Sequence, residues 1–127
     1  MNVLLDTHAF LWWAGDPARL SPNALAMIID PANHIMASIV NVWEMAIKSQ
    51  LGKLTLHKPL KDVVADQQTN GITFLAAELD HVLGVETSPP VHKDPFDRLL
   101  AAQAISEGAV LLTSDPVFAS YPVATAW

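Results

Sequence analysis

Cysteine is absent from the 127 residues. Its absence removes disulfide frameworks and every thiolate metal site, and accords with a reducing compartment. Basic residues are scarce too: 7 lysines and arginines face 13 aspartates and glutamates, a formal net charge of -6. Such a chain is a poor electrostatic match for nucleic acid as a whole. Any polyanion it binds must meet a local basic patch, a bound cation or a partner's charge. No apolar stretch approaches the roughly 20 residues that cross a bilayer. The start, MNVLLDTHAF, lacks the basic region and long apolar run of a signal peptide. The expectation is a cytoplasmic protein with no membrane contact. The five histidines show no His-x3-His spacing, which argues against zinc. Internal repeats, low-complexity tracts and linkers are missing as well, and the length suggests one domain over residues 1–127.

What is present is apolar: 51% of the residues are hydrophobic, enough for a full core. Short apolar runs at 3–5, 34–37, 72–76 and 109–113 read as strands. Helical patterns fall between them. One covers 7–14. Ser21-Pro22 opens another that runs to about residue 30, and Ser38 caps one to about residue 51. Further helices cover 59–70, 78–85 and 95–107, with Gly52, Gly71 and Gly108 as stops. Residues 87–91 form a proline-rich loop, and Asp115-Pro116 opens a short last helix. Strands alternating with helices imply a parallel sheet with crossover helices. Strands without period-two alternation imply that both sheet faces are covered.

Acids stand at the predicted strand ends. Asp6 follows the first strand, and Asp115 lies two residues past the fourth. Asp94 and Asp97 begin the helix that feeds that strand. Each has a local explanation as a helix cap or a first-turn carboxylate. Together they fall on one predicted edge, where open parallel sheets place their sites. Glu44 differs, because it lies mid-helix. It sits about 40° from Val40 and about 20° from Leu51 on the helical wheel, at the inner border of a stripe that Trp43 and Ile47 continue. A surface pair with Lys48, four residues on, is its simplest explanation. If three or four of these carboxylates converge, each pair at 4 Å repels by about 4 kcal/mol at an effective dielectric of 20. Only protons or a cation relieve that. Oxygen donors select a hard ion, Mg²⁺ or Mn²⁺, which could polarise a phosphodiester and activate water.

MNVLLDTHAFLWW, ASIVNVWEMAIKSQLGKL, HKDPFDRLLAAQA and LLTSD resemble, in order and over nearly the whole chain, the motif blocks of PIN-domain ribonucleases. More narrowly they resemble the VapC toxins of bacterial toxin–antitoxin pairs. The resemblance implies an α/β fold, a three-layer sandwich with a central parallel sheet of four to five strands flanked by helices. It implies Mg²⁺- or Mn²⁺-dependent endonucleolytic cleavage of RNA, with one or two ions. Asp6, Glu44, Asp97 and Asp115 match the family's four acids, and Thr113 its hydroxyl residue near the fourth. Asp94 could join the site, though its cap position and the family pattern favour Asp97. The partners implied are a second copy of the chain and a small antitoxin that occupies the active-site groove.

Remaining residues are read more plainly. The helix 7–14 is apolar nearly all round; core packing explains Trp12 and Trp13 better than a partner surface. His8 could approach a metal or substrate, but a hydrogen-bonded structural role is simpler. Arg98 and Lys48 flank two acids and could hold a phosphate, with salt bridges to those acids the simpler reading. Lys53, His57, Lys58 and Lys61 form the main basic concentration, a weak RNA-contact candidate against a solvated face. Two alternatives stand beside the nuclease. One is a non-catalytic binding module on the same fold. The other is a Mg²⁺-binding signalling receiver domain, which lacks the paired acids after the first strand that it needs. A dinucleotide enzyme lacks its glycine-rich first turn, since residues 6–14 contain no glycine.

Overall fold

Within each central strand, neighbouring residues face opposite cores. Val3 and Leu5 join one buried cluster and Leu4 the other; Ile35 and Ala37 oppose Met36, and Leu112 opposes Leu111. Period two therefore operates with apolar residues on both faces, because both faces are covered. This is a computed structural model that describes residues 1–90 and 94–127.

Five strands, β1 (Asn2–Leu5), β2 (His34–Ser38), β3 (Thr73–Leu75), β4 (Val110–Leu112) and β5 (Thr125–Ala126), form one sheet. Their order is β3-β2-β1-β4-β5, and all pairings are parallel. Among the described residues, six α-helices accompany them: α1 (Thr7–Gly15), α2 (Pro22–Ile29), α3 (Ile39–Gln50), α4 (Leu60–Thr69), α5 (Leu79–Glu86) and α6 (Pro95–Ser106). The first cluster packs Phe10, Ala24, Ile28, Met45 and Val63 from α1 to α4 against one face. The second packs Leu100, Ala101 and Ala104 of α6, with Phe118 and Tyr121, against the other. Each fully buried leucine or phenylalanine there contributes about 1.5–3 kcal/mol. The expected three-layer α/β sandwich is present.

The differences from expectation lie at the ends. The last helix is a 3₁₀ turn, Pro116–Ser120, and β5 is a two-residue strand that periodicity does not reveal. The expected loop at 87–91 ends at Val91, outside the described residues, as do His92 and Lys93 of the motif block. Ser21 accepts from the Ala24 N–H at 2.9 Å, as its cap position requires. Gly71 follows α4 with φ +92°, a backbone angle that a side chain would strain.

β1 is the turning point of the order. The chain leaves it for β2 and β3 on one side, then returns to β4 on the other. A crevice thus opens at the carboxyl ends of β1 and β4.

Candidate active site

Asp6 is pinned at that crevice by the sheet itself. Its N–H donates to the Leu112 carbonyl at 3.1 Å, continuing the β1–β4 ladder by one residue. Its Oδ1 then caps α1, accepting from the Ala9 N–H at 2.7 Å. Its Oδ2 accepts the Thr113 hydroxyl proton. The same hydroxyl oxygen accepts from the Asp115 N–H at 3.0 Å. One buried side chain therefore joins the Asp6 carboxylate to the backbone that carries Asp115.

A second relay fixes Glu44. The Ser38 N–H donates to Asn41 Oδ1 at 2.7 Å, and Asn41 Nδ2 donates to Thr7 Oγ1 at 3.0 Å. Thr7 in turn donates to Glu44 Oε1 at 2.6 Å, and Lys48 Nζ closes the chain on Glu44 Oε2. This relay rotates α3 away from its expected stripe. The buried residues are Val40, Asn41, Glu44 and Met45, whereas Trp43 and Leu51 are 51% and 61% exposed. Trp43 finds its contact on Phe96 instead, edge-on at 4.8 Å between centroids. Glu44 is thus more buried than a surface pair with Lys48 implies, and the pair itself is present.

Asp6, Glu44, Asp94, Asp97 and Asp115 line one cavity of about 240 Å³, together with Thr7, His8, Lys48 and Phe118. The capping explanations hold at the same time. Asp94 accepts from the Phe96 N–H at 2.9 Å and Asp115 from the Val117 N–H at 3.0 Å. Asp6, Asp94 and Asp115 all cap through Oδ1, so a cap does not exclude a place on the cavity wall. Among the described residues, no three Asp, Glu or His side chains come within ligating reach of a common point. Among the described residues, five carboxyl groups and one ammonium line this cavity.

The electrostatics follow. Burial pushes the Asp6 carboxyl above its usual range, and nearby Asp115 adds to the rise; the Thr113 hydroxyl, the Ala9 N–H and the charge of His8 oppose it. The Glu44 carboxylate, with Asp94 and Asp97 behind it, holds Lys48 above its usual range. Lys48 is therefore firmly cationic.

Three sequence expectations change. Arg98 forms no ion pair among the described residues; its Nε is buried without a partner, and its side chain does not line the acidic cavity. His8 is no hydrogen-bonded structural residue. It is exposed and stacks on the Trp12 ring at 5.7 Å between centroids. The basic concentration divides: Lys58 pairs with Asp66, while Lys53 and His57 turn to a groove beside His8. Sequence reasoning also missed Thr7 and Asn41. Their one signal was polarity on otherwise apolar helix starts. Trp12 and Trp13 pack against the first core cluster.

An acidic cavity at the carboxyl edge of a parallel sheet, in the crevice where strand order reverses, defines a class of α/β domain with a carboxylate-lined centre. A family profile described as PIN domain matches residues 3–124, and the chain belongs to the PIN-domain family. It is 32% identical over 118 residues to Ribonuclease VapC22 of Mycobacterium tuberculosis, a match covering 90% of this chain and 87% of that protein. Its fold is shared with VapBC2 of Rickettsia felis, solved bound to a promoter DNA fragment: TM-score 0.72 at 16% identity, over 99% of this chain and 98% of that one. DNA-bound VapBC of Salmonella typhimurium superposes with TM-score 0.69 at 13% identity, over 99% and 97%. Among the described residues, no helix is long and apolar enough to cross a membrane.

Proposed function

We propose that the chain is a divalent-metal-dependent endoribonuclease, the toxin of a type II toxin–antitoxin pair, working in the cytoplasm through its PIN domain. The carrying observation is the gathering of Asp6, Glu44, Asp97 and Asp115 on one cavity wall, with Asp94 beside them. The likeness to a named ribonuclease over most of both chains supports the same reading.

The donor chemistry suits Mg²⁺ or Mn²⁺. Every acidic group on the cavity offers carboxylate oxygens, and buried Asp6, pushed toward its neutral form, lacks the compensating charge that a divalent ion would bring. Drawn within reach of a common point, Asp6, Glu44, Asp97 and Asp115 would hold one or two ions, whose charge would polarise the phosphodiester and activate water for in-line attack. The protein's own part is preorganisation. Thr113 fixes the Asp6 carboxylate, and Thr7 and Lys48 fix Glu44, which either holds an ion or orients the water. Lys48 also presents positive charge to an incoming phosphate at an otherwise anionic wall.

Partners belong to this reading as well. A small antitoxin would cover the groove, and the chain's likeness to chains of DNA-bound VapBC structures supports this. Ile39 and Trp43 on α3, with Leu79, Val82 and Leu83 on α5, expose apolar area that pairing with a second copy would bury.

The test is direct. Purified protein given Mn²⁺ should cut single-stranded RNA, and Asp97→Asn should not. Mn²⁺ at about 100 times its Kd should stabilise the wild type by about 2.7 kcal/mol and the variant far less. Expression should arrest growth, with relief by Asp6→Asn. A wild type that neither cuts RNA nor gains stability from Mn²⁺ would instead be a binding module on the PIN fold.

A further inference from the structure

The acidic cavity does not end at Glu44. Thr7, Glu44 and Lys48 are shared with a second cavity of about 280 Å³, which Lys53 also lines. His8 and Leu54 are shared in turn with a third, of about 440 Å³, which Arg19 and His57 line. His8 stands on the wall of all three. The third lies within the range of small-molecule sites, about 300–1,000 Å³, and the second just below it.

Two features of this side groove point to its occupant. The first is charge. In a chain with 13 acids and 7 bases, the second and third cavities are lined, among the described residues, by one acid, Glu44, cancelled by its partner Lys48, and by two further cations, Arg19 and Lys53. The second is a prebuilt aromatic platform. Trp12 is held by the Arg19 guanidinium, 4.7 Å from its ring centre, and by the edge of Trp127 at 5.6 Å. His8 lies nearly parallel to Trp12, at 25°, and is itself exposed. A flat ring backed by a second ring, beside cations, is the combination by which proteins hold unpaired nucleotides. A peptide would gain little from the cationic wall unless it were acidic.

We propose that this groove is a subsite for one unpaired nucleotide next to the scissile phosphodiester, its base stacked on His8 and its phosphate met by Lys53. The proposal rests on the ribonuclease reading and deepens it. Sequence context would then be felt mainly on the side of the cut that enters this groove.

Binding of a fluorescein-labelled single-stranded RNA hexamer, followed by anisotropy at low salt in EDTA, tests the subsite separately from cleavage. His8→Ala should weaken binding about 10-fold, within the range for losing one base–aromatic stack. His8→Phe should recover most of it. In Mn²⁺ the His8→Ala defect should fall in KM rather than kcat. Lys53→Ala should weaken binding and flatten its salt dependence by about one phosphate contact. His8 is exposed, so an unchanged Tm should accompany its variants. If the wild type cuts RNA while His8→Ala and Lys53→Ala bind and cut as it does, the subsite is wrong and the nuclease stands. If those variants bind RNA normally but lose affinity for an antitoxin peptide, the groove is a protein site and the proposal is overturned. Absence of hexamer binding by the wild type overturns it too. Hexamer binding that depends on His8, without any Mn²⁺-dependent cutting, would keep the subsite and remove the nuclease.

Discussion

The two edges of the sheet carry cavities of similar volume and opposite chemistry. At the carboxyl edge, about 240 Å³ is lined by five acids and Lys48. At the amino edge, about 300 Å³ is lined by Trp13, His34 and Asn33, with Asp30 the one charged side chain among its lining residues. There the amides and the imidazole bond their neighbours, while the buried Trp13 Nε1 finds no partner among the described residues. His34 bonds Asn2 through Nδ1 and Thr73 through Nε2, joining the first residues of β1, β2 and β3. Asn33 donates to the Met27 carbonyl at the end of α2, and Asn2 to the Glu107 carbonyl after α6. Helix polarity explains the contrast. A parallel sheet with crossover helices sets helix N-termini at one edge and C-termini at the other. Unpaired N–H groups at the first attract carboxylates, and unpaired carbonyls at the second attract amides. The acids that cap α1 and α6 are thereby delivered to the same edge.

If the contrast is functional, the two edges should fail differently. The largest effect belongs to Glu44→Gln and Asp97→Asn, which should lower RNA cleavage by about 1,000-fold, the several kcal/mol a misheld ion withdraws from the transition state. Asp115→Asn should also lower cleavage while leaving the metal-free Tm unchanged or raised, because Asn caps as well as Asp and one charge facing Asp6 is gone. Next comes Thr113→Val. It removes the donor to Asp6 and the acceptor for the Asp115 N–H, so a loss of about 2 kcal/mol in chemical denaturation should accompany reduced cleavage. At the amino edge, His34→Ala should lower stability by about 1 kcal/mol and leave cleavage intact; loss of cleavage there would break the division. The smallest effect is in pH. Asp6 has a raised folded-state pKa, so between its unfolded and folded values the folded state binds more proton. Stability of the metal-free wild type should therefore fall as pH rises through that window. Subtracting the Asp6→Asn profile, measured by denaturant titration, should isolate that slope.

Legibility followed the range of the interaction. Ser21, Ser38, Asp94 and Asp115 could be read as caps because each bonds a backbone group two or three residues away. The central strands were legible because burial on both faces makes them apolar throughout. The face of α3 was misread, because Glu44 and Asn41 are drawn inward by Thr7, more than 30 residues earlier. His8 defied expectation for a similar reason: its stacking partner lies one helical turn on, but its exposure depends on walls built by α3 and the segment after it. β5 was invisible, since two residues hold no period; the Leu111 and Thr113 N–H groups, donating to Ala124 and Ala126, make it a strand.

By itself the amino-acid order determined the first four strands, the helices between them and an acidic balance that leaves phosphate-binding to a few cations or a borrowed one. Those properties depend on neighbours along the chain, through backbone geometry and side-chain period. Only the tertiary arrangement decided that Asp6 stands beside Thr113, 107 positions away, and that Lys48 sits on Glu44 facing the aspartates of α6. Electrostatic energy falls with distance through space and takes no account of separation along the chain, and the strand order β3-β2-β1-β4-β5 is what set scattered carboxylates on the wall of one cavity.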